Sequence, residues 1–254
     1  MERPYNQLLQ AILDIGEDMQ NCGAEISRVE ESINRMCAGY GVRRVHTFTI
    51  TANMIVSLEL DGGTVVTQTR RIHPGAIDFS RLDRLNDLAR YICAHAPPVE
   101  EVRARYAALD APRPLARPAA YFGAALVTSA FAVFFGGSAW DALSAAVLAL
   151  GIETLTRLPL RRDANPILYL FLTSLLTGLG GIALVRLGAG EHLDRILIGC
   201  VMLTIPGVAI TNAVRDLLSG DTVSGLARLS ESLLQAAGIA FGFYLAIYLW
   251  GRGL

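Results

Sequence analysis

Apolar positions follow two patterns along this chain: long uninterrupted runs after residue 116, and a mixed, periodic pattern before it. A helix crosses the bilayer core with about 20 predominantly apolar residues, so we expect about five transmembrane helices. Their predicted bounds are residues 119–135, 142–158, 167–187, 196–214 and 229–250, the first two runs being short. In the last run, Gly238 and Gly242 form a GxxxG pair of the kind that packs helices closely. The predicted fold is an α-helical membrane protein whose transmembrane domain covers residues 116–254.

Residues 1–115 carry most of the charge and predict a separate α+β domain. Apolar residues recur at alternating spacings of three and four from Ile12 to Met36, which predicts one long helix. Strands are predicted over residues 44–51, 53–60 and 64–71, the last two being joined by a hairpin turn at residues 61–63. Further helices are predicted from Ser80 and over residues 99–109. Pro74-Gly75 ends the predicted sheet, and a linker with Pro112, Pro114 and Pro118 follows the last of these helices.

Every basic residue of the chain is an arginine, and the placement of these residues predicts the orientation in the membrane. Cytoplasmic loops carry an excess of positive charge. With the N-terminus inside, the inner segments hold Arg113, Arg117, Arg157, Arg161, Arg162, Arg215 and Arg228, and the outer ones only Arg186, Arg195 and Arg252. The first residues lack the apolar core of a signal peptide. We therefore expect a multi-pass protein of a bacterial inner membrane with a cytoplasmic N-terminal domain.

The fourth apolar run is interrupted by Pro206-Gly207 and followed by a dense polar segment. An interior proline removes a helix hydrogen bond and kinks or breaks the helix. Irregular backbone at membrane depth survives only where it is buried in protein or lines a cavity, and ionisable groups beside it are typical of solute handling. The polar residues that follow this break are Thr211, Asn212, Arg215, Asp216, Ser219 and Asp221. This segment favours a transport protein.

Arg215 is the central residue of the predicted substrate site. Asn212, Arg215 and Ser219 share one helix face, the guanidinium fork suits a carboxylate, and Thr211 adds a nearby hydroxyl. Asp216 and Asp221 are predicted either to relay protons or to form a structural ion pair with an arginine. Glu153 and Glu231, near the inner ends of their helices, are further coupling or gating residues. Arg215 and Asp216 could instead cap the cytoplasmic end of the fourth span by snorkelling.

Other function classes find little support in the composition. The four cysteines and four histidines show no metal-ligand spacing, so we predict neither a metal site nor a cofactor. No nucleophile–base constellation points to an enzyme. The net charge of −1 gives no reason to expect a nucleic-acid partner.

Three motifs stand out in the sequence: Gly23-Ala-Glu-Ile-Ser-Arg-Val-Glu30, Asp83-Arg-Leu-Asn-Asp-Leu-Ala89 and, most specifically, the run from Ile205 to Asp221 with Ser224-Gly-Leu-Ala-Arg228. They resemble the threonine/serine exporter (ThrE) family, and the resemblance runs from about residue 6 to residue 250. Full-length members resemble two fused pieces, and this chain is similar to the larger piece alone, the YjjP-like subunit of the split type. That resemblance implies a small YjjB-like membrane subunit as partner, a higher oligomer, and export of succinate or of threonine and serine driven by the proton motive force.

The leading hypothesis is therefore a subunit of a secondary exporter for small carboxylates or amino acids in the lipid bilayer. Its expected mechanism is alternating access around residues 206–221, with the soluble domain as entry vestibule or gate. The competing hypothesis is a non-transporting membrane sensor or assembly protein, whose cytoplasmic domain binds a ligand or a partner.

Overall fold

The computed structural model describes residues 2–73, 75, 77–109, 117–158 and 165–251. These residues divide into two compact units, one formed by residues 1–113 with 211–229, the other by residues 114–210 with 230–254. The grouping of residues 211–229 with the N-terminal part is a feature that the apolar pattern does not reveal.

In the N-terminal part of the first unit, the described residues form four helices and a small sheet. The helices are α1 (Glu2–Asn21), α2 (Ile26–Gly39), α3 (Phe79–His95) and α4 (Val99–Ala108), and the strands are β1 (Arg44–Ile50), β2 (Asn53–Glu59) and β3 (Val65–Arg71). A single apolar core joins these elements, with fully buried Ile12, Ile33, Met54, Leu85 and Val102 contributed by helices and sheet alike. The predicted α+β composition of this part is therefore present in the fold.

The prediction of one long first helix is wrong, because the chain turns between α1 and α2. Gly23 adopts a φ of +99°, in the left-handed region that favours glycine. Its N–H donates to the carbonyl of Gln20, and the N–H of Ala24 donates to that of Met19, which is the Schellman ending of a helix. The apolar period continues across the break because both helices bury the same stripe in the same core.

The three predicted strands form an antiparallel meander in the order β1-β2-β3, and the predicted hairpin joins β2 to β3. Thr47 pairs with Val56 in one ladder and Val56 pairs with Gln68 in the other. Side chains alternate across a strand, so Met54, Val56 and Leu58 of β2 all point into the core. At the predicted turn, Gly62 and Gly63 both have positive φ, and the N–H of Leu60 donates to the carbonyl of Thr64.

The second unit is helical. It contains α5 (Arg117–Phe134), α6 (Ala139–Thr156), α7 (Pro166–Arg186), α8 (Leu193–Thr204), the first residues of α9 (Gly207–Leu218) and most of α10 (Thr222–Trp250). Four of the described helices, α5, α6, α7 and α10, are long and apolar enough to cross a membrane, and α8 with α9 makes a bent fifth candidate. The predicted spans agree with these helices to within a few residues, except that α10 begins seven residues before the predicted start at residue 229.

Small residues allow close helix packing in this second unit. A Cβ added at Gly242 of α10 would lie 2.5 Å from the carbonyl oxygen of Phe171 on α7. A Cβ added at Gly199 of α8 would lie 2.6 Å from that of Thr128 on α5. Gly242 therefore has the packing role predicted from the GxxxG pair. Several residues on which predictions rested lie outside the described part of the chain, namely Pro74, Pro112, Arg113, Pro114, Arg161, Arg162 and Arg252.

Candidate functional site

The predicted helix break at Pro206 is present. Helix α8 ends at Thr204, Ile205 is extended, and α9 begins at Gly207 with its axis turned by 58° from that of α8. A proline has no N–H for the helix ladder and disfavours helical backbone at the residue before it, which explains why the break falls here. The N–H of Ile210 then donates to the carbonyl of Pro206 and opens the new helix.

Three polar side chains on one face of α9 bind the turn between α1 and α2. Asn212 donates from Nδ2 to the backbone oxygen of Gly23 at 3.2 Å. The guanidinium of Arg215 pairs with the carboxylate of Glu25. The carboxylate of Asp216 accepts a hydrogen bond from the backbone N–H of Ile26. Positions i, i+3 and i+4 share a helix face, so these contacts reach successive residues of one turn.

The turn offers these side chains unsatisfied backbone groups. The first N–H groups of a helix have no partner inside it and attract acceptor side chains and negative charge. Glu25 occupies the position before α2, but its side chain makes no capping hydrogen bond. Asp216 supplies an acceptor from another part of the chain. Helix α2 is thus capped by a residue that lies 190 positions further along the sequence.

Asp216 is buried together with a cation. Only 1% of its side chain is exposed, and Arg228 Nη1 lies 3.5 Å from its Oδ2, with 16% of the arginine side chain exposed. Arg228 reaches this position because the start of α10 packs directly on α9. A Cβ at Gly225 would lie 2.9 Å from the backbone oxygen of Ala213. Asp216 and Arg228 therefore form a buried ion pair between α9 and the start of α10.

Two further carboxylates belong to the same unit. Glu30 of α2 accepts a hydrogen bond at Oε1 from the N–H of Thr49, at 2.6 Å. Burial raises the pKa of the Glu30 carboxyl, and the negative charge of Asp221 raises it further. Asp221 follows the positive-φ turn at Gly220, where its N–H donates to the carbonyl of Asp216. We call Glu25, Glu30, Arg215, Asp216, Asp221 and Arg228 the polar cluster.

The structure thus brings together some of the predicted site residues. Asn212, Arg215, Asp216 and Asp221 belong to the cluster or contact the same turn, and Thr211 begins this part of the first unit. Ser219 lies beyond the end of α9, in an exposed turn. Glu153 and Glu231 belong to the second unit, where Glu153 pairs with Arg157 at 2.6 Å and Glu231 accepts from Gln235 at 3.3 Å.

Sequence reasoning missed Glu25, Glu30 and Arg228 as members of the cluster. Glu25 lies inside the one long helix predicted from Ile12 to Met36, at a position outside its apolar stripe. The available signal was Gly23, because a glycine inside a helix costs about 1 kcal/mol and often marks a helix end. Arg228 was counted only as a positive charge that orients the membrane helices.

In the described part of the second unit, a buried polar centre lies around Asp141. Asp141 is completely buried at the start of α6 and accepts hydrogen bonds from the N–H groups of Ser138, Glu191 and His192, and its Oδ2 lies 2.9 Å from His192 Nδ1. Ligand atoms of Asp141, Glu191 and His192 lie close enough to hold a metal ion. Because the oxygens of Asp141 already accept backbone N–H groups, this arrangement joins the turn before α8 to the start of α6.

Comparisons with known proteins agree with the motifs. The chain matches the family model described as "Putative threonine/serine exporter" (ThrE) over residues 10–250. It is 24% identical to the "Probable threonine/serine exporter" of Mycobacterium tuberculosis, covering 95% of this chain and 46% of the relative. It is 26% identical to the "Probable succinate transporter subunit YjjP" of Escherichia coli, covering 90% of this chain and 89% of the relative.

A third relative is the "Threonine/serine exporter" of Corynebacterium glutamicum, which is 25% identical over 92% of this chain and 50% of the relative. The chain therefore spans about half the length of the relatives named threonine/serine exporter, and most of the length of the relatives named YjjP. No solved structure matches it.

Proposed function

Because the chain belongs to the threonine/serine exporter family, we propose that it is a subunit of a proton-driven secondary exporter of small carboxylates or amino acids. The relatives' names support transport as the activity and include threonine/serine exporters and a succinate transporter subunit. All three of these solutes carry a carboxylate. The proposal therefore assigns the chain a substrate with at least one carboxylate group.

The observation that carries the proposal is the broken helix pair α8–α9 and the polar cluster that follows the break. A helix interrupted at Pro206 offers a hinge, and α9 beyond it carries Asn212, Arg215 and Asp216 on one face. Broken helices with ionisable residues are typical of substrate and ion sites in secondary transporters. We propose that alternating access takes place around residues 206–221.

Arg215 is the proposed substrate anchor. Its side chain is 55% exposed while its guanidinium pairs with Glu25, whose side chain is 22% exposed. A substrate carboxylate can replace the carboxylate of Glu25 on the guanidinium, since both offer the same paired acceptors. Such an exchange releases Glu25 from α9 and so links substrate binding to the turn between α1 and α2. Thr211, Asn212 and Ser219 are the proposed supporting hydrogen-bonding residues.

Proton coupling is assigned to carboxylates around this anchor. Asp216, Asp221 and Glu30 lie in the same unit as Arg215, and burial holds the pKa of Glu30 above its ordinary value. A carboxyl group with a raised pKa takes up and releases protons closer to neutral pH. Glu153 and Glu231 of the second unit remain proposed gating or coupling residues.

The proposed setting is a bacterial inner membrane with the N-terminus in the cytoplasm, which the distribution of arginines supports. The soluble part of the first unit then acts as an entry vestibule or gate. The relatives named YjjP are described as subunits. We propose by analogy that this chain assembles with a separate small membrane subunit of the YjjB type into a higher oligomer.

The direct test is efflux of labelled succinate and labelled threonine from proteoliposomes, with and without the small membrane subunit. We expect efflux that requires both chains and a pH gradient, and the preferred label names the substrate class. Absence of efflux for both labels, with both proteins correctly inserted, would exclude these two substrates and favour either a different solute or the non-transporting sensor.

Two variants test the assigned residues in this assay. Arg215→Gln should abolish export without affecting insertion or assembly, whereas Arg28→Gln, an exposed arginine of α2 paired with Glu31, should leave it unchanged. Asp221→Asn should remove the dependence of export on the pH gradient. Normal export by Arg215→Gln contradicts the anchor assignment, and an unchanged pH dependence in Asp221→Asn contradicts the coupling assignment.

A further inference from the structure

An arginine-lined cavity lies in the N-terminal part of the first unit. Its residues are distant in sequence from α9 and α10 of the polar cluster. It has a volume of about 400 Å³ and opens between α3 and α4. Its polar lining is Arg84, Asp87 and Tyr91 of α3 and Arg105 of α4, and its apolar lining includes Leu88 and Leu109. We call it the α3–α4 pocket. Small-molecule sites are concave, mostly apolar and supplied with a few convergent polar groups.

One wall of the pocket is held rigid by a network around Tyr91. The Tyr91 hydroxyl donates to Glu101 Oε1 at 2.8 Å, and Arg105 donates from Nε to the same oxygen at 2.9 Å. Arg105 Nη2 lies 3.0 Å from the Tyr91 hydroxyl, and its guanidinium carbon lies 3.9 Å from the centre of the tyrosine ring. The guanidinium of Arg105 is therefore fixed in place before any ligand arrives.

Arg84 differs from Arg105, because no ion pair is seen for its guanidinium among the residues that the structure describes. Among the same residues, its Nε is buried without a hydrogen-bond acceptor. A buried donor without an acceptor costs free energy, more so when it carries charge. The nearby Asp87 pairs instead with Arg90. An anion in the pocket would give the guanidinium of Arg84 a charged partner.

We propose that the α3–α4 pocket binds a small organic carboxylate, with Arg84 as its principal ion-pair partner and Arg105 as a second donor. The guanidinium fork of arginine matches the two oxygens of a carboxylate. The leucine side chains offer surface to a short hydrocarbon part of the ligand. This site is separate from Arg215, and ligand binding to it does not require export by the chain. The pocket proposal can therefore be tested independently of the proposed function.

The test uses the full chain in lipid nanodiscs and a cysteine placed in the pocket. Ala108 lines the pocket and is exposed, so Ala108→Cys gives a thiol that a maleimide can reach and a bound ligand can shield. Ala107→Cys, exposed on the same helix outside the pocket lining, is the matched control. Both are made in a Cys93→Ser background, because Cys93 is partly exposed whereas the other native cysteines are buried.

Succinate, threonine and sodium chloride of equal ionic strength are compared as protecting agents. We expect saturable protection of residue 108, but not of residue 107, by succinate or threonine and none by chloride. If the pocket is specific for dicarboxylates, only succinate should protect residue 108. If it is specific for amino acids, only threonine should protect it. Absence of protection by either carboxylate, or equal protection by chloride, would overturn the proposal.

Variants distinguish the pocket from the export site. Adding Arg84→Gln should weaken protection about tenfold or more, because a charged hydrogen-bond partner of the ligand is lost. Arg28→Gln, at an exposed arginine of α2 outside the pocket lining, and Arg215→Gln in the polar cluster should leave it unchanged. Protection that survives Arg84→Gln, or that disappears with Arg215→Gln, would contradict the assignment. Circular dichroism of each variant confirms that the fold is retained, and calorimetric titration of Arg84→Lys, which keeps the charge, provides a second measurement.

Discussion

The carboxylate of Asp216 accepts a hydrogen bond from the backbone N–H of Ile26, so a residue of α9 caps the first turn of α2. The same carboxylate pairs with Arg228 at the start of α10. Three helical segments of the first unit therefore meet at one buried group. A change at this group should affect the stability of the fold as well as any transport activity.

Removal of Arg228 should strongly destabilise the first unit. A buried ion pair that loses one partner leaves an uncompensated charge, which typically costs about 3–5 kcal/mol. We expect Arg228→Met to lose stability in this range, measured by chemical unfolding of the chain in detergent and followed by circular dichroism. Asp216→Asn should cost less, because the amide oxygen can still accept from Ile26.

The control for this prediction is Arg28→Gln, because Arg28 is 73% exposed in its pair with Glu31. Exposed pairs contribute about 0–1 kcal/mol. The double variant Asp216→Asn with Arg228→Met should recover part of the stability lost in Arg228→Met alone, since the unpaired charge is gone. A loss in Arg228→Met as small as that in Arg28→Gln would show that the pair does not stabilise this unit.

The close approach of α9 and α10 depends on Gly225. A Cβ at this position would lie 2.6 Å from Leu217 Cγ and 2.9 Å from the backbone oxygen of Ala213. Since backbone atoms cannot move aside cheaply, Gly225→Ala should destabilise the chain by about 1–3 kcal/mol. Gly151→Ala is the matched control, because nothing lies within 4 Å of its added Cβ. That variant should be neutral or more stable by up to about 1 kcal/mol, through helix propensity. Equal stability of the two variants would contradict the packing argument.

Only those features of this fold that depend on local sequence could be predicted from the sequence. Local signals were sufficient for the three strands, for the hairpin at Gly62-Gly63, for the break at Pro206 and for the apolar helices. Each of these depends on residues close together in the chain. The turn at Gly23 was hidden, because Met19 and Ile26 keep the apolar period of a continuous helix on both sides of it.

The polar cluster could be predicted only in part for a related reason. Arg215 and Asp216 could be predicted as site residues because charged residues are rare in apolar segments. Their partners Glu25 and Ile26 lie about 190 residues earlier, and no spacing rule reports such a contact. Glu30 resembled an ordinary surface residue of a helix until the fold placed it beside β1 and Asp221.

Glu30 should make stability depend on pH in a predictable direction. Burial raises the pKa of its carboxyl above the ordinary value of 4.5, so the folded chain binds this proton more tightly than the unfolded chain does. The contribution of this group to stability is therefore greatest below pH 4.5 and is lost as the pH rises through the folded-state pKa. Glu30→Gln keeps an acceptor for the N–H of Thr49 and removes the desolvated charge.

We expect Glu30→Gln to be at least as stable as the parent chain at neutral pH, with the advantage disappearing in acid. Unfolding free energies measured across this pH range provide the test. Glu31→Gln is the control: Glu31 is an exposed neighbour paired with Arg28 and Arg35, and its substitution should give a small loss instead of a gain. Asp221→Asn should reduce the advantage of Glu30→Gln, since the charge of Asp221 helps to raise the pKa of Glu30. The stability difference between Glu30→Gln and the parent should therefore favour the variant more at neutral pH than in acid. The opposite trend would contradict the sign of this argument.

Exchange of the two charges at positions 25 and 215 separates a structural role of Arg215 from a substrate-binding role. The double variant Glu25→Arg with Arg215→Glu retains an ion pair between α9 and the turn that follows α1. If Arg215 only stabilises this contact, the exchange should restore the export lost in Arg215→Gln. If Arg215 binds the substrate carboxylate, the exchange should restore stability but not export, because position 215 then repels the substrate. Glu25→Gln, which removes the competing carboxylate, should lower the KM for export as long as the fold is retained.

In proteoliposome efflux, we expect the exchanged pair to regain stability but not export. Normal export by the exchanged pair, together with an unchanged KM in Glu25→Gln, would limit Arg215 to a structural role.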